Sequence, residues 1–269
     1  MPDLESIICC IFIQSSMDGI GFNMVASGSA GNCSLIWDSD DLLIIDMGIS
    51  RKRLNKRIEE LNIDPSQQSL FISHEHSDHC SGVKNLKTRP EFDIYTREMT
   101  GYAAGLRDFY RINGETVIGN FRIKAVNISH DASDPVGYIV ESSRIKISVV
   151  SDLGFASPDL LEFIKGSNIL ALESNHDEEM LKNGPYPISL KNRISGRFGH
   201  LSNDQTADVL EKVVLQDTRI ILTHLSQKNN LPDLAMEKAR TRLVDKHIPY
   251  KSLECATQEN GSSLYFLEI

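Results

Sequence analysis

The sequence predicts a four-layer αββα sandwich of the α/β (α+β) class, with two mixed sheets packed face to face and helices outside. Three features point there. Short apolar runs of strand type alternate with helical stretches, the second half of the chain repeats the pattern of the first, and no composition shift separates the halves. A length of 269 residues, 41% hydrophobic and 24% charged, would also allow two ordinary domains, but nothing between the halves has linker character.

Taken in order, Phe22 to Ala26, Ser34 to Trp37, Leu42 to Ile45 and Leu70 to Ile72 are short apolar runs bounded by turn residues and read as strands. Between them, Arg51 to Leu61 places Leu54, Ile58 and Leu61 at i, i+4 and i+7, one face of a helix. A second helix is expected over Glu98 to Phe109. Strands follow at Phe121 to Val126, Gly137 to Val140 and Ile145 to Val150. Ser157-Pro158 is an N-cap with proline in the first helical position, ahead of Leu160, Leu161 and Ile164 on one face. Ile169 to Leu172 is the next strand, and Gly184-Pro-Tyr-Pro187 an irregular loop between two helices. Ser202-x-x-Gln205 is a capping box ahead of Ala207, Leu210 and Val214. Ile169 to Leu172, Arg219 to Thr223 and Ser263 to Leu267 mirror the strands of the first half.

Residues 1–20 read as a disordered leader before a single domain over 21–269. The apolar run Ile7 to Ile13 is about half of what a bilayer span needs. Residues 1–16 hold Asp3 and Glu5 but no Lys or Arg, so they lack a secretory n-region, and Met17 is an alternative start. No membrane partner is expected. Five cysteines, two of them the adjacent Cys9 and Cys10, with no CxxC pair, suit neither a disulfide framework nor a thiolate zinc site, and point to the reducing cytoplasm. With 28 Lys+Arg against 37 Asp+Glu the net charge is −9, which argues against a basic surface for non-specific DNA binding. Any contact with a polyanion must be local.

The densest chemistry is His74-Glu75-His76-Ser77-Asp78-His79, directly after the strand Leu70 to Ile72, where three of the eight histidines fall in six positions. In an extended chain i and i+2 project to one side, so His74 and His76 can share a metal. If the chain then turns, Asp78 and His79 face a second metal, as a two-metal hydrolase requires. His130, Asp152 and His224 each follow a strand, as His74 does, which is where a site at a sheet edge collects its ligands. Imidazoles and carboxylates without thiolate suit two divalent ions, Zn²⁺ or Mn²⁺. Two such ions less two carboxylates and a bridging hydroxide leave a local charge of about +1, attractive to phosphate.

His74-x-His76-x-Asp78-His79 with later His, Asp and His resembles the metallo-β-lactamase fold, whose members are αββα sandwiches binding two metals. Ser27-Gly-Ser-Ala-Gly-Asn32, Ile45-Asp-Met-Gly48, Ser129-His-Asp131, Pro135-Val-Gly-Tyr138, Ser151-Asp-Leu-Gly154, Leu172-Glu-Ser-Asn-His-Asp177, Gly184-Pro-Tyr-Pro187, Gly199-His-Leu-Ser-Asn203 and His224-Leu-Ser-x-x-Asn229, over residues 22–269, resemble within it the YycJ (WalJ) group of metal-dependent 5′ to 3′ DNA exonucleases. The resemblance implies that His74, His76 and His130 hold one metal, that Asp78, His79 and His224 hold the other, and that Asp152 bridges. It further implies that Asp46 hydrogen-bonds the ligand loop, although an Asp at a strand end can equally cap a turn.

The remaining polar residues are candidates for substrate. Ser27, Ser29 and Asn32 lie in a glycine-containing loop that could let a substrate backbone approach, or simply turn the chain. His200 precedes the capping box, so a helix N-terminus with Ser202 and Asn203 lies beside it, suiting a phosphate. In the related nucleases a histidine in this setting contacts the scissile phosphate, making His200 the candidate transition-state stabiliser or leaving-group acid; the alternative is a histidine packed near a cap. Asn175 and His176 are pocket wall or structural hydrogen-bonders. The implied activity is a dinuclear phosphodiesterase, a 5′ to 3′ DNA exonuclease in which a metal-bridging hydroxide, oriented by Asp78, attacks phosphorus in line. The alternatives are a hydrolase of a small thioester, lactone or cyclic phosphodiester at the same centre, and a non-catalytic binding or regulatory module.

Overall fold

The computed structural model describes residues 19–84 and 92–269. The run Ile7 to Ile13 and the alternative start at Met17 lie outside the described residues. Gly19 and Ile20 belong to the first strand instead of a leader, pairing antiparallel with Glu268 and Leu267. Among the described residues fourteen strands form two seven-stranded sheets. They are β1 (Gly19–Ala26), β2 (Cys33–Trp37), β3 (Asp41–Ile45), β4 (Gln67–Ile72), β5 (Asp93–Thr96), β6 (Tyr110–Arg111), β7 (Glu115–Ile118), β8 (Phe121–Asn127), β9 (Val136–Ser142), β10 (Ile145–Val150), β11 (Ile169–Glu173), β12 (Arg219–Thr223), β13 (Ser252–Cys255) and β14 (Tyr265–Glu268). The helices are α1 (Arg51–Glu60), α2 (Ser77–Lys84), α3 (Glu98–Ala103), α4 (Pro158–Ile164), α5 (Glu178–Asn183), α6 (Ile188–Ile194), α7 (Asn203–Val213) and α8 (Pro232–Asp245).

The strand orders, β14-β1-β2-β3-β4-β5-β6 and β13-β12-β11-β10-β9-β8-β7, are each antiparallel through one part and parallel through the other. Side-chain alternation makes the layers. In β3, Leu43 and Ile45 point into the core between the sheets with Phe22, Phe71, Phe121, Tyr138 and Ile221, while Leu42 and Ile44 pack outward with Leu54 of α1. In β12, Ile221 points inward, and Ile220 and Leu222 pack against Leu210 of α7 and Leu243 of α8. Three apolar clusters separated by two sheets give the four layers expected from the sequence. Each fully buried Phe, Leu or Ile contributes roughly 1.5–3 kcal/mol.

Several strands run longer than expected, β1 from Gly19 and β4 from Gln67 among them, and two boundaries fall short for a reason the contacts show. The helix expected to reach Phe109 ends at Ala103, because Gly105 turns left-handed (φ 75°) and Leu106 N–H closes back on Gly101 O. The final strand starts at Tyr265 instead of Ser263, since the Ser263 N–H and hydroxyl both donate to the Glu254 carboxylate. Among the described residues no helix is long and apolar enough to cross a membrane.

Candidate metal centre

The ends of β3, β4, β8, β10, β11 and β12 meet at one edge of the sandwich, and the loops leaving them carry the acids and imidazoles. After β4 the chain runs on through Ser73 and His74, bends at Glu75 and His76 instead of staying extended, and enters α2, whose first turn holds Asp78 and His79. Three of the strand-end residues are left-handed: Asp46 (φ 60°), Asp152 (φ 58°) and His224 (φ 54°). This conformation stops the strand and swings the side chain across the sheet end, and Asp and His tolerate it better than most residues.

Two clusters result, each with its candidate ligand atoms within 4.8 Å of one another: His74, His76 and His130, and Asp78, His79, Asp152 and His224. His130 Nε2 lies 3.2 Å from His76 Nδ1. His79 Nε2 is 2.9 Å from Asp152 Oδ2, and His224 Nε2 is 3.4 Å from Asp78 Oδ2. Asp152 Oδ1, 3.9 Å from His130 Nε2, puts that carboxylate between the clusters, where the sequence reading wanted a bridge. Asp46, buried, accepts from Ser73 N–H (2.8 Å) and the Ser73 hydroxyl (2.8 Å), and its Oδ2 lies 2.7 Å from His79 Nδ1. That bond aims His79 Nε2 into the site.

The donor set fits divalent cations. His74 Nε2 and His224 Nε2 are buried and make no hydrogen bond, a state that costs free energy unless a partner arrives. Burial, with His79 close by, holds the His74 pKa well below the ordinary value, so its ring is neutral with a lone pair free. For His79 burial pulls the same way, but Asp46 and Asp152 outweigh it and raise its pKa well above the ordinary value; His224 is raised likewise, by Asp152 and Asp78 against burial. Asp152 is held well below the usual carboxylate range despite burial, chiefly by His224 and His79. In the metal-free protein protons on imidazoles therefore balance the buried carboxylates, standing where cations would. Cys80, buried in α2, donates its thiol to the Glu75 and His76 carbonyls and is no part of either cluster.

One residue of the centre escaped the sequence reading. Glu173, the last residue of β11, is fully buried, and its Oε1 lies 2.8 Å from both His200 Nδ1 and His224 Nδ1. Its Oε2 accepts from Leu153 N–H (2.9 Å) and Leu201 N–H (3.2 Å). Burial alone would raise its pKa, but His200 and His224 bring it down to about 2. Glu173, His200, His224 and Asp152 also lie close enough to suggest a third cation position. With four donors already on its two oxygens, Glu173 is a hydrogen-bond hub instead. The available signal was a lone carboxylate closing an apolar strand that runs parallel to two ligand-bearing strands.

Three of the candidate substrate residues, Ser27, Asn32 and Asn175, turn out to be engaged in holding the centre, and two more, Ser202 and Asn203, in bonds elsewhere. The Ser27 hydroxyl accepts from His224 N–H (2.7 Å) and Asn175 Nδ2 donates to His224 O (2.9 Å), together fixing that left-handed residue. Asn32 accepts from Gly28 N–H through Oδ1, and its Nδ2 sits 3.3 Å from Asp78 Oδ2 and 3.1 Å from His79 Nε2. Asn203 is buried in an amide network with Asn230 and the Ser174 hydroxyl. Ser202 caps α7 with Gln205 as expected, but its hydroxyl also donates to Glu178, so a carboxylate already occupies the helix N-terminus proposed for phosphate. His176 is buried with Nδ1 unpartnered, and burial pushes its pKa down to about 4. It lines a cavity of about 540 Å³ between α5, α6 and α7. Ser29 is exposed at the tip of its loop. The count of local charge also changes: with Asp46 and Glu173 added to Asp78 and Asp152, four carboxylates and the hydroxide against two divalent ions give about −1 instead of about +1.

Residues 43–225 match the beta-lactamase superfamily domain model. The chain is 32% identical over 240 residues to exodeoxyribonuclease YycJ of Bacillus anthracis, covering 85% of this chain and 90% of that one. It is 30% identical over 230 residues to exodeoxyribonuclease WalJ of Streptococcus pneumoniae, covering 81% and 86%. Among solved structures, the metallo-beta-lactamase fold protein YhfI from Bacillus subtilis superposes with a TM-score of 0.64 over 93% of this chain and 99% of that one, at 13% identity. A likeness that spans both sheets and every strand end carrying a ligand-type side chain leaves one conclusion: this chain belongs to the beta-lactamase superfamily as a metallo-β-lactamase-fold hydrolase homologous to the YycJ and WalJ proteins.

Proposed function

We propose that the chain is a metal-dependent phosphodiesterase that shortens DNA from a 5′ end, with two divalent ions, Zn²⁺ or Mn²⁺, held by His74, His76 and His130 on one side and Asp78, His79 and His224 on the other, Asp152 between them. The two exodeoxyribonuclease relatives support the substrate class. The observation that favours a phosphodiester over a thioester or lactone is His200. Its Nδ1 is committed to Glu173, its ring lies 5.4 Å from His130 and 5.2 Å from His224, and 18% of its side chain is exposed at the mouth of the centre. Burial would lower its pKa, but Glu173 outweighs it and raises it above the ordinary value. Bound cations would supply an activated water and neutralise charge on phosphoryl oxygens.

The chain's own residues do the rest. Glu173 keeps the His200 proton on Nδ1 and turns Nε2 outward, where an N–H can donate to a phosphoryl oxygen or to the departing 3′-oxygen as charge builds. Asp46 and Glu173 fix the Nδ1 side of His79 and His224, so that both present Nε2 to the centre. Asp78, held by Asn32, offers a carboxylate able to orient a water for attack. A thioester, whose leaving thiolate needs no proton, would gain little from His200.

The test is cleavage of 5′-labelled and 3′-labelled DNA by metal-reconstituted protein, beside thioester and lactone substrates. Shortening from the 5′ end, abolished by chelator and restored by Zn²⁺ or Mn²⁺, is expected. Faster turnover of a thioester or lactone than of DNA would overturn the proposal.

A further inference from the structure

The nuclease reading leaves unanswered how a chain of net charge −9, with a centre of nearly balanced charge, holds a polyanion. The sequence from Met180 to His200 contains Lys182, Lys191, Arg193 and Arg197 and no carboxylate. This stretch runs over α5 and α6 and ends at His200. At its end stands Phe198, 59% exposed, and across from it Phe155, 42% exposed, with the Arg197 guanidinium 5.0 Å from the Phe155 ring centroid. Neither aromatic belongs to any of the three apolar clusters. Exposed phenylalanines beside a charged site add little to the core and present a contact surface to a flat apolar partner.

Their placement is rigid and tied to the centre. Gly154, two residues beyond Asp152, lets its loop press against the chain opposite: a Cβ there would collide with the carbonyl oxygens of Gly196 and Arg197. Gly154 N–H donates to Ser129 O (3.0 Å), the Ser129 hydroxyl to Arg197 O (2.8 Å), and Asp131 N–H to Phe198 O (3.1 Å). The loops carrying His130, Asp152 and His200 are thus stapled together, and Phe155, Arg197 and Phe198 project from the same staple. Phe198 lies two residues from His200, at most about 7 Å of chain.

We propose that Phe155, Arg197 and Phe198 form a stacking platform for the bases of a single DNA strand next to the cleaved linkage, with Arg197 facing its phosphates. The inference rests on the nuclease reading above. Aromatic stacking is indifferent to base identity, which suits an enzyme that must step along any sequence, and arginine adds cation–π contact with base and ring alike. It also requires an unpaired base, so the platform assigns the strand state as well as the substrate class: single-stranded ends, or duplex ends that fray.

The test uses metal-reconstituted full-length protein and single-stranded oligonucleotides that are intact or abasic at the two 5′-terminal nucleotides. Phe198→Ala should lower kcat/KM on intact DNA by roughly 5- to 150-fold, the effect of losing one base stack. It should cause less than about a threefold loss on the abasic strand, since the wild type has already lost the stack there. Phe198→Trp should retain or exceed wild-type activity on intact DNA. As a direct readout, 2-aminopurine at the 5′ terminus should be quenched on binding to wild type and not to Phe198→Ala. Wild-type cleavage of DNA with equal Phe198→Ala losses on intact and abasic strands, or with unchanged quenching, overturns the platform alone. Failure of the wild type to bind or cleave DNA overturns the nuclease reading and the platform with it.

Discussion

Glu173→Gln changes one buried atom type and tests the wiring of the whole centre. The carboxylate receives two imidazole N–H groups on Oε1 and two backbone N–H groups on Oε2. A glutamine offers one acceptor and one NH₂. If the NH₂ faces Leu153 and Leu201, donors meet donors, at roughly 1–3 kcal/mol for each buried N–H left unmade. If it faces His200 and His224, both rings must present Nδ1 lone pairs and carry their protons on Nε2, the atom through which His224 would bind metal. Neither orientation is satisfactory, so the variant should lose both stability and metal affinity. Loss of a group that orients a ligand typically weakens metal binding by about 10- to 100-fold, which is about 1.4–2.8 kcal/mol. At saturating metal, kcat should still fall by roughly a hundredfold, because His200 no longer offers a proton held by a carboxylate. Chelator competition would give the metal affinity, urea denaturation in EDTA the stability of the metal-free fold, and turnover of DNA at saturating metal the kcat. Wild-type metal affinity together with less than about a threefold change in kcat would refute the hub.

Reconstituted protein should hold two metal ions per chain by elemental analysis, and Asp152→Ala should drop that number and reduce hydrolysis below about a tenth of wild type, worth several kcal/mol of barrier once a metal centre is lost, with the circular dichroism unchanged. His200→Ala should lower kcat on DNA by roughly a hundredfold while metal content stays constant; loss of metal would make His200 a ligand and move the assignment. The raised pKa values of His79 and His224 in the metal-free state give a third expectation. Their folded-state pKa exceeds the unfolded value of about 6.5, so the stability they contribute is complete below that pH and is lost as pH rises through the folded pKa. The metal-free protein should lose stability from about pH 6.5 upward while metal affinity rises over the same window, with protons released on binding. Denaturation in EDTA across that range, and calorimetry of Zn²⁺ binding in two buffers of different ionisation enthalpy, would measure both; metal-free stability that increases over the window would contradict the charge assignment.

The layers of this fold were legible because they are written locally. Leu42 to Ile45 alternates between two clusters within four residues, Ser157-Pro158 starts α4, and Ser202 with Gln205 caps α7. The strands that left little trace, β5, β6, β7 and β13, have only two to four residues, too few to show a period. The ligand-type residues were legible for a different reason: divalent cations accept few side-chain types, and strand ends supply few positions. What did not show was how the polar atoms are paired. Ser27 reaches His224 across 197 positions and Glu173 reaches it across 51. A Ser in a glycine-containing loop looks the same in sequence whether its hydroxyl meets a substrate or a backbone N–H.

That pairing is forced by the geometry of the strand ends. A strand's side chains alternate above and below the sheet, so none points along the strand toward a site at its end. Asp46, Asp152 and His224 reach the centre by turning left-handed, at roughly 1–2 kcal/mol each for a residue with a Cβ. A backbone bent in this way exposes its own N–H and C=O groups, which lie too deep for water to reach them. Asp46 N–H donates to Phe71 O (2.8 Å), Leu153 N–H after Asp152 donates to Glu173, and His224 is held at both N–H and C=O by Ser27 and Asn175. The small polar residues around the centre are therefore a consequence of its aiming strain, and contact with a substrate falls to groups left unpaired at its rim. On the proposed reading these are His200, 18% exposed, and the exposed Phe155, Arg197 and Phe198, carried on loops that are hydrogen-bonded to those bearing the ligand-type residues.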